Sequence, residues 1–79
     1  MKKSIYSQES NLLRLWLTNQ RKKKRLTQRQ LASLLGIHHS IIGKIETGER
    51  QINVVELIWY CKTLGVDPVD VINRLQLMD

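Results

Sequence analysis

QRQLASLLGIHHSIIGKIE, residues 28–46, is the stretch from which the rest of the chain can be placed. Leu31, Ala32 and Leu35 fall on one helical face, and Ile42 and Ile45 fall on a second, with Gly36 and Ile37 between them. A lone glycine at that point marks a tight turn between two short helices. Both faces are buried together only if the helices cross steeply, and Ala32 supplies the close approach such a crossing needs. The outward side of the second helix then carries Ser40, Gly43, Lys44 and Thr47, with His39 to one side at its first turn.

Working outward, 79 residues make one small domain, with room for a modest core and none for a deep catalytic cleft. Phenylalanine is absent, so the core must be aliphatic, and the good helix formers throughout predict an all-helical fold. Residues 1–7 have no period and read as a flexible arm; residues 8–79 read as the single domain. One cysteine makes no intramolecular disulfide, no apolar run approaches a membrane span, and no signal-peptide core is present. The expectation is a soluble cytoplasmic protein. Adjacent His38 and His39 diverge by about 100° on a helix and have no Cys or carboxylate at ligand spacing, so neither metal nor cofactor is expected. No Ser/His/Asp, Cys/His or paired-carboxylate arrangement has workable spacing, so an enzyme is not expected either.

The helix starts are marked by one repeated device. Thr27 with Gln30, and Asn53 with Glu56, form capping boxes. Asp67 caps a helix that opens on Pro68, and His38 stands at the cap position before the second motif helix. Apolar residues bracket each cap as staples: Leu26 with Leu31, Ile37 with Ile42, Ile52 with Leu57, and Val66 with Val71. A first helix from about Gln8 to Lys24, capped by Ser7 or Ser10, completes five, with Leu13, Leu17, Leu12 and Trp16 inward. Beyond the motif, Val54, Leu57, Ile58, Cys61, Leu64, Val66, Val71, Ile72 and Leu75 are the expected core, with Cys61 inert there. Trp59 falls on the opposite face of its helix and is either an incidental exposed aromatic or an interface residue.

The net charge of +6 is placed unevenly: residues 1–45 hold ten Lys and Arg against Glu9, and residues 46–79 hold six acids against Arg50, Lys62 and Arg74. A basic half suits a polyanion. Two short helices with a bare, hydrogen-bonding outer face form the helix-turn-helix pattern, whose second helix enters the DNA major groove. His39 can donate to guanine or thymine, Ser40 can bond any base, and Lys44 can reach guanine O6 and N7. Gly43 either lets the backbone approach the groove floor or makes room for another helix. Its place inside a helix costs about 1 kcal/mol against alanine. The run Arg21 to Arg25 complements a helix C-terminus, yet five cations just before the motif also suggest phosphate contacts from Lys22, Lys23, Lys24 and Arg25. Thr27 and Gln28 at the next helix start would grip one strand, and Thr47, Arg50 and Gln51 the other. An ordinary histidine at position 39 would weaken binding as pH rises through roughly 6 to 8.

The segment LTQRQLASLLGIHHSIIGKIETGERQINVVELIWYCKTLGVDP resembles the lambda-repressor-like DNA-binding family, the Cro/repressor (Xre-type) helix-turn-helix, over roughly Leu17 to Leu75. Its markers are the LTQ opening with Gln28, then Ala32, Gly36, the IE-x-G of Ile45, Glu46 and Gly48, and the closing LGVDP. The resemblance implies a compact five-helix domain that binds an operator in double-stranded DNA, usually as a two-fold dimer. It implies DNA contacts by Gln28, His39, Ser40 and Lys44, and an ion pair of Arg21 with Glu46. His38 departs from the usual small hydroxyl cap, and His39 is an unusual reader. The expected role is a repressor, nucleoid-associated in a prokaryote or phage-infected cell. The alternatives are an antitoxin with the same DNA grip, holding a protein partner through Trp59 and the C-terminal half, or a protein-interaction module without DNA binding.

Overall fold

The computed structural model describes residues 7–78, so apart from Ser7 the expected arm lies outside the described residues. The elements are α1 (Gln8–Lys23), α2 (Gln28–Leu35), α3 (His39–Thr47), α4 (Val54–Leu64) and α5 (Pro68–Gln76). Cap chemistry sets their starts. Thr27 Oγ1 accepts from the Gln30 N–H at 3.0 Å while Gln30 Oε1 accepts from the Thr27 N–H at 2.8 Å. Asn53 and Glu56 repeat the exchange at 2.8 and 3.0 Å. Asp67 Oδ1 accepts from the Val69 N–H at 2.9 Å. At α1 the choice falls on Ser7, whose hydroxyl accepts from the Ser10 N–H at 3.2 Å, and Lys24 becomes the C-cap instead of the last helical residue.

Between α2 and α3, Gly36 adopts φ +71°, and the Ile37 N–H closes the turn on the Ala32 carbonyl at 3.0 Å. That left-handed step is what lets α3 turn back across α2. Leu31, Ala32, Ile42 and Ile45 are buried where the two helices meet, with Leu17 from α1, Leu57, Cys61 and Leu64 from α4, and Val71 from α5. Trp16 joins them, and its indole N–H donates to Asp70 at 3.2 Å, tying α1 to α5. The buried Cys61 thiol is pushed up to about 11, by burial first and Asp67 second.

Two expected core positions are corrected: Val54 is 73% exposed and Ile72 is 37% exposed. Val54 and Ile72 lie on the right helical faces but line an open apolar groove with Leu13, Ile52, Leu57, Ile58 and Leu75. Periodicity identifies the face and not whether a neighbouring element reaches its end. Tyr60 enters the core unannounced, buried between Leu57 and Leu64 on the inner stripe of α4. Among the described residues its hydroxyl finds no hydrogen-bond partner, and burial, then Glu46 and Glu56, hold its pKa above the ordinary value. Tyr60→Phe should therefore be neutral or stabilising by up to about 1 kcal/mol, because the hydroxyl is desolvated without compensation. A fall of more than that in chemical denaturation would show that the hydroxyl finds a partner in solution.

Among the described residues no helix is long and apolar enough to cross a membrane, and no three His, Cys, Asp or Glu side chains converge.

Candidate nucleic-acid interface

Burial of Ile42 and Ile45 orients α3, and its opposite side is bare: Ser40, Lys44 and Thr47 are exposed, and His39 and Gly43 are half-buried. The cap of α3 is the imidazole of His38, whose Nδ1 accepts from the Ser40 N–H at 3.2 Å and lies 2.8 Å from Ser40 Oγ. The His38 and His39 rings stack with centroids 4.4 Å apart. His39 is held below its ordinary pKa of 6.5, by desolvation first, then by the charge of Arg29, then by His38. A Cβ at Gly43 would stand 3.4 Å from Gln28 Oε1, so this glycine faces the first turn of α2 at ordinary contact distance.

One carboxylate fastens three elements together at this end of the molecule. Glu46, near the end of α3, accepts from Arg21 Nε at 2.7 Å and Arg21 Nη2 at 2.9 Å, and from the Gln28 amide at 3.0 Å. Arg21 also donates through Nη1 to the Leu26 carbonyl at 2.8 Å, in the loop between α1 and α2. The bidentate bond to Glu46 is the main reason the Arg21 pKa is raised. The last turn of α1 and the first turn of α2 thus meet the last turn of α3. The Gln28 amide is turned to Glu46 at this point, whereas Thr27 stays exposed.

Lys22, Lys23, Lys24 and Arg25 are all exposed beside this junction. They do not all point one way: Lys24 Nζ lies 4.0 Å from where a Cβ of Gly65 would stand, at the C-terminus of α4. Arg25 is the unusual member, in a left-handed conformation with φ +57°. Its N–H bonds the Lys22 carbonyl at 2.9 Å and the Leu26 N–H bonds the Arg21 carbonyl at 3.2 Å, closing α1 in a way that favours glycine.

Beyond α3, Arg50 is engaged by the fold. It donates to Glu56 at 2.6 and 3.2 Å and to the Gln51 carbonyl at 3.1 Å. This bonding raises the Arg50 pKa and, with the Asn53 N–H second, lowers that of Glu56. Thr47 Oγ1 donates to the Lys44 carbonyl at 3.2 Å, and Gln51 is exposed.

Two side chains carry no motif signal yet belong to this neighbourhood. Arg29, exposed in the first turn of α2, is close enough for its charge to act on His39. Arg14 donates to Asn11 and lays its guanidinium over Gly48, where a Cβ would come within 2.6 Å of Nη1. Gly48 ends α3 at φ +87°, so a side chain at position 48 is strained by conformation, and it would also push the flexible Arg14 guanidinium aside. Sequence periodicity carries no trace of either arginine, because both act across elements.

Trp59 is 57% exposed and lines a cleft of about 60 Å³ with Leu35, Ile37, Ile41, Tyr60 and the Arg50–Glu56 pair.

Comparison with known proteins agrees with this architecture. The helix-turn-helix family model matches residues 17–71. An Xre-family-like protein from Pseudomonas syringae pv. tomato superposes with a TM-score of 0.80 at 31% identity, covering 86% of this chain and 83% of that one. The restriction-modification controller protein C.AhdI from Aeromonas hydrophila superposes with a TM-score of 0.73 at 27% identity, covering 84% of this chain and 98% of that one. No curated protein matches the sequence significantly. With its crossed α2 and α3 and a family match over most of its length, this chain belongs to the Xre/lambda-repressor-like helix-turn-helix family of DNA-binding transcriptional regulators.

Proposed function

We propose that this protein is a sequence-specific repressor that occupies an operator, with α3 in the major groove. His39, Ser40, Gly43 and Lys44 meet base edges there. Lys23, Lys24, Arg25, Thr27 and Gln28 hold one phosphate strand, joined by Arg29. Thr47, Arg50 and Gln51 hold the other, Arg50 by sharing its guanidinium with Glu56. The observation that carries this reading is the two-sidedness of α3: Ile42 and Ile45 are buried while Ser40 and Lys44 are exposed. Two copies about a two-fold axis would set their α3 helices roughly 34–36 Å apart, one turn of the duplex. Selection of bound sites from random duplex DNA tests it. The expected result is one consensus with two-fold symmetry; recovery of unrelated sequences, or of none, would rule out specific operator binding.

Arg25 offers a sharper check. A non-glycine residue in the left-handed region costs roughly 1 kcal/mol, and arginine occupies that place beside the expected phosphate path. Arg25→Gly should raise stability by about 1 kcal/mol and weaken binding to every duplex alike. A variant that is more stable and binds as well as the parent would remove Arg25 from the interface.

The lowered His39 pKa moves the pH response downward. Folding favours the neutral ring, so its contribution to stability is complete above pH 6.5 and is lost as pH falls through the lower folded value. Phosphates favour the charged ring, so affinity should stay level from pH 8 to 6.5 and rise below it. His39→Gln should abolish the rise, as measured by fluorescence anisotropy at constant salt.

A protein partner on the C-terminal half is the second reading, favoured by the exposure of Trp59 above its cleft. Trp59→Ala that leaves sedimentation unchanged, alone and in crude extract, would count against it.

A further inference from the structure

The cap of α3 has a consequence for base recognition. A backbone N–H can only donate, so the bond from the Ser40 N–H makes His38 Nδ1 an acceptor. The neutral imidazole then carries its proton on Nε2. Ser40 Oγ stands 2.8 Å from that same Nδ1. With Nδ1 unprotonated, the hydroxyl makes this short bond by donating its proton inward, sharing the one Nδ1 lone pair with the backbone N–H. What Ser40 shows to the outside is therefore a pair of acceptor sites and no donor. Stacking of His38 on His39, with ring planes 29° apart, restrains the imidazole in this pose. His38 at the cap and Ser40 in the first turn of α3 are both exposed, and among the described residues no other hydrogen bond to the Ser40 hydroxyl is formed.

We propose that His38 is a specificity-determining positioning residue: by keeping the Ser40 hydroxyl proton on its Nδ1, it presents Ser40 to the groove as an acceptor alone. In the major groove the donors are the amino groups of adenine N6 and cytosine N4, whereas guanine N7 and O6 and thymine O4 only accept. Ser40 so held selects adenine or cytosine and meets guanine and thymine with lone pair against lone pair. Free serine has no such preference. The inference rests on the proposed placement of α3 in the groove, and it assigns His38 a role beyond capping.

The test has two arms. In the free protein, nitrogen-15 correlation spectra of the imidazoles at pH 8 should show His38 protonated on Nε2 with Nδ1 bare; a proton on Nδ1 would overturn the proposal. In site selection, the base position whose preference disappears in Ser40→Ala should be enriched about fivefold for adenine and cytosine over guanine and thymine. His38→Ser keeps a strong helix cap but removes the imidazole that holds the hydroxyl. It should accept all four bases at that position with unchanged helicity. Duplex binding with guanine or thymine preferred there, or a His38→Ser variant with the parent's preference, would overturn the role of His38 alone. Failure to retain any duplex would overturn the groove placement of α3, and this inference with it.

Discussion

Glu46→Ala is expected to lower folding stability by roughly 3–5 kcal/mol, read as a large fall in the urea midpoint or melting temperature. The side chains of Arg21 and Glu46 are only 10% and 7% exposed. Deleting the carboxylate leaves a buried guanidinium and the Gln28 amide without their acceptor. For a domain of this kind, with a total stability of about 5–15 kcal/mol, that loss is enough to unfold a sizeable fraction of the protein. The penalty belongs to the stranded charge, since a well-packed apolar replacement of both partners is often neutral or better. Arg21→Met combined with Glu46→Leu should therefore recover most of what Glu46→Ala removes. Arg50–Glu56 is the internal contrast, with side chains 38% and 21% exposed. Separating that pair should cost no more than about 1 kcal/mol in ion pairing, apart from the loss of the Asn53 cap partner. A Glu46→Ala protein within 1 kcal/mol of the parent would mean that packing of α3 on α1 does not depend on the pair.

Raising salt from 50 to 200 mM should weaken the DNA affinity contributed by each protomer about a thousandfold. Neutralising about six phosphates per monomer gives a slope of log K against log salt near −5, and a fourfold salt change multiplies through that slope. The cations proposed to act on phosphates are Lys23, Lys24, Arg25 and Arg29, with Arg50 contributing through its shared guanidinium and the base-reading Lys44 adding its charge from the groove. Lys23→Ala should reduce the steepness by about one and weaken all duplexes alike. Lys44→Ala should instead relax preference at a few positions, by ~1–3 kcal/mol if it reads guanine. A slope near zero would contradict phosphate-driven binding altogether.

Much of this molecule is legible in its sequence because the signals are local. Thr27 with Gln30, and Asn53 with Glu56, are three residues apart, the separation at which cap and return bond close on each other. Leu31, Ala32, Ile42 and Ile45 are spaced so that one crossing buries them all. The outward face of α3 follows from that same spacing. Where the spacing argument stops short is at the ends of faces: Val54 and Ile72 have the right period but no element above them, and Tyr60 has a place in the core that its hydroxyl disguised.

The candidate site divides along the same line. The chain's own order of residues determines which side chains share the outer face of α3, where each helix begins, and how the cations cluster before α2. Only the folded arrangement decides which of those groups are free. It turns Arg50 onto Glu56 and Gln28 onto Glu46, draws Lys24 toward the end of α4, and brings Arg29 within electrostatic reach of His39. Helical period is a property of neighbours along the chain, whereas a guanidinium or amide finds its partner through space, on an element that the period does not name.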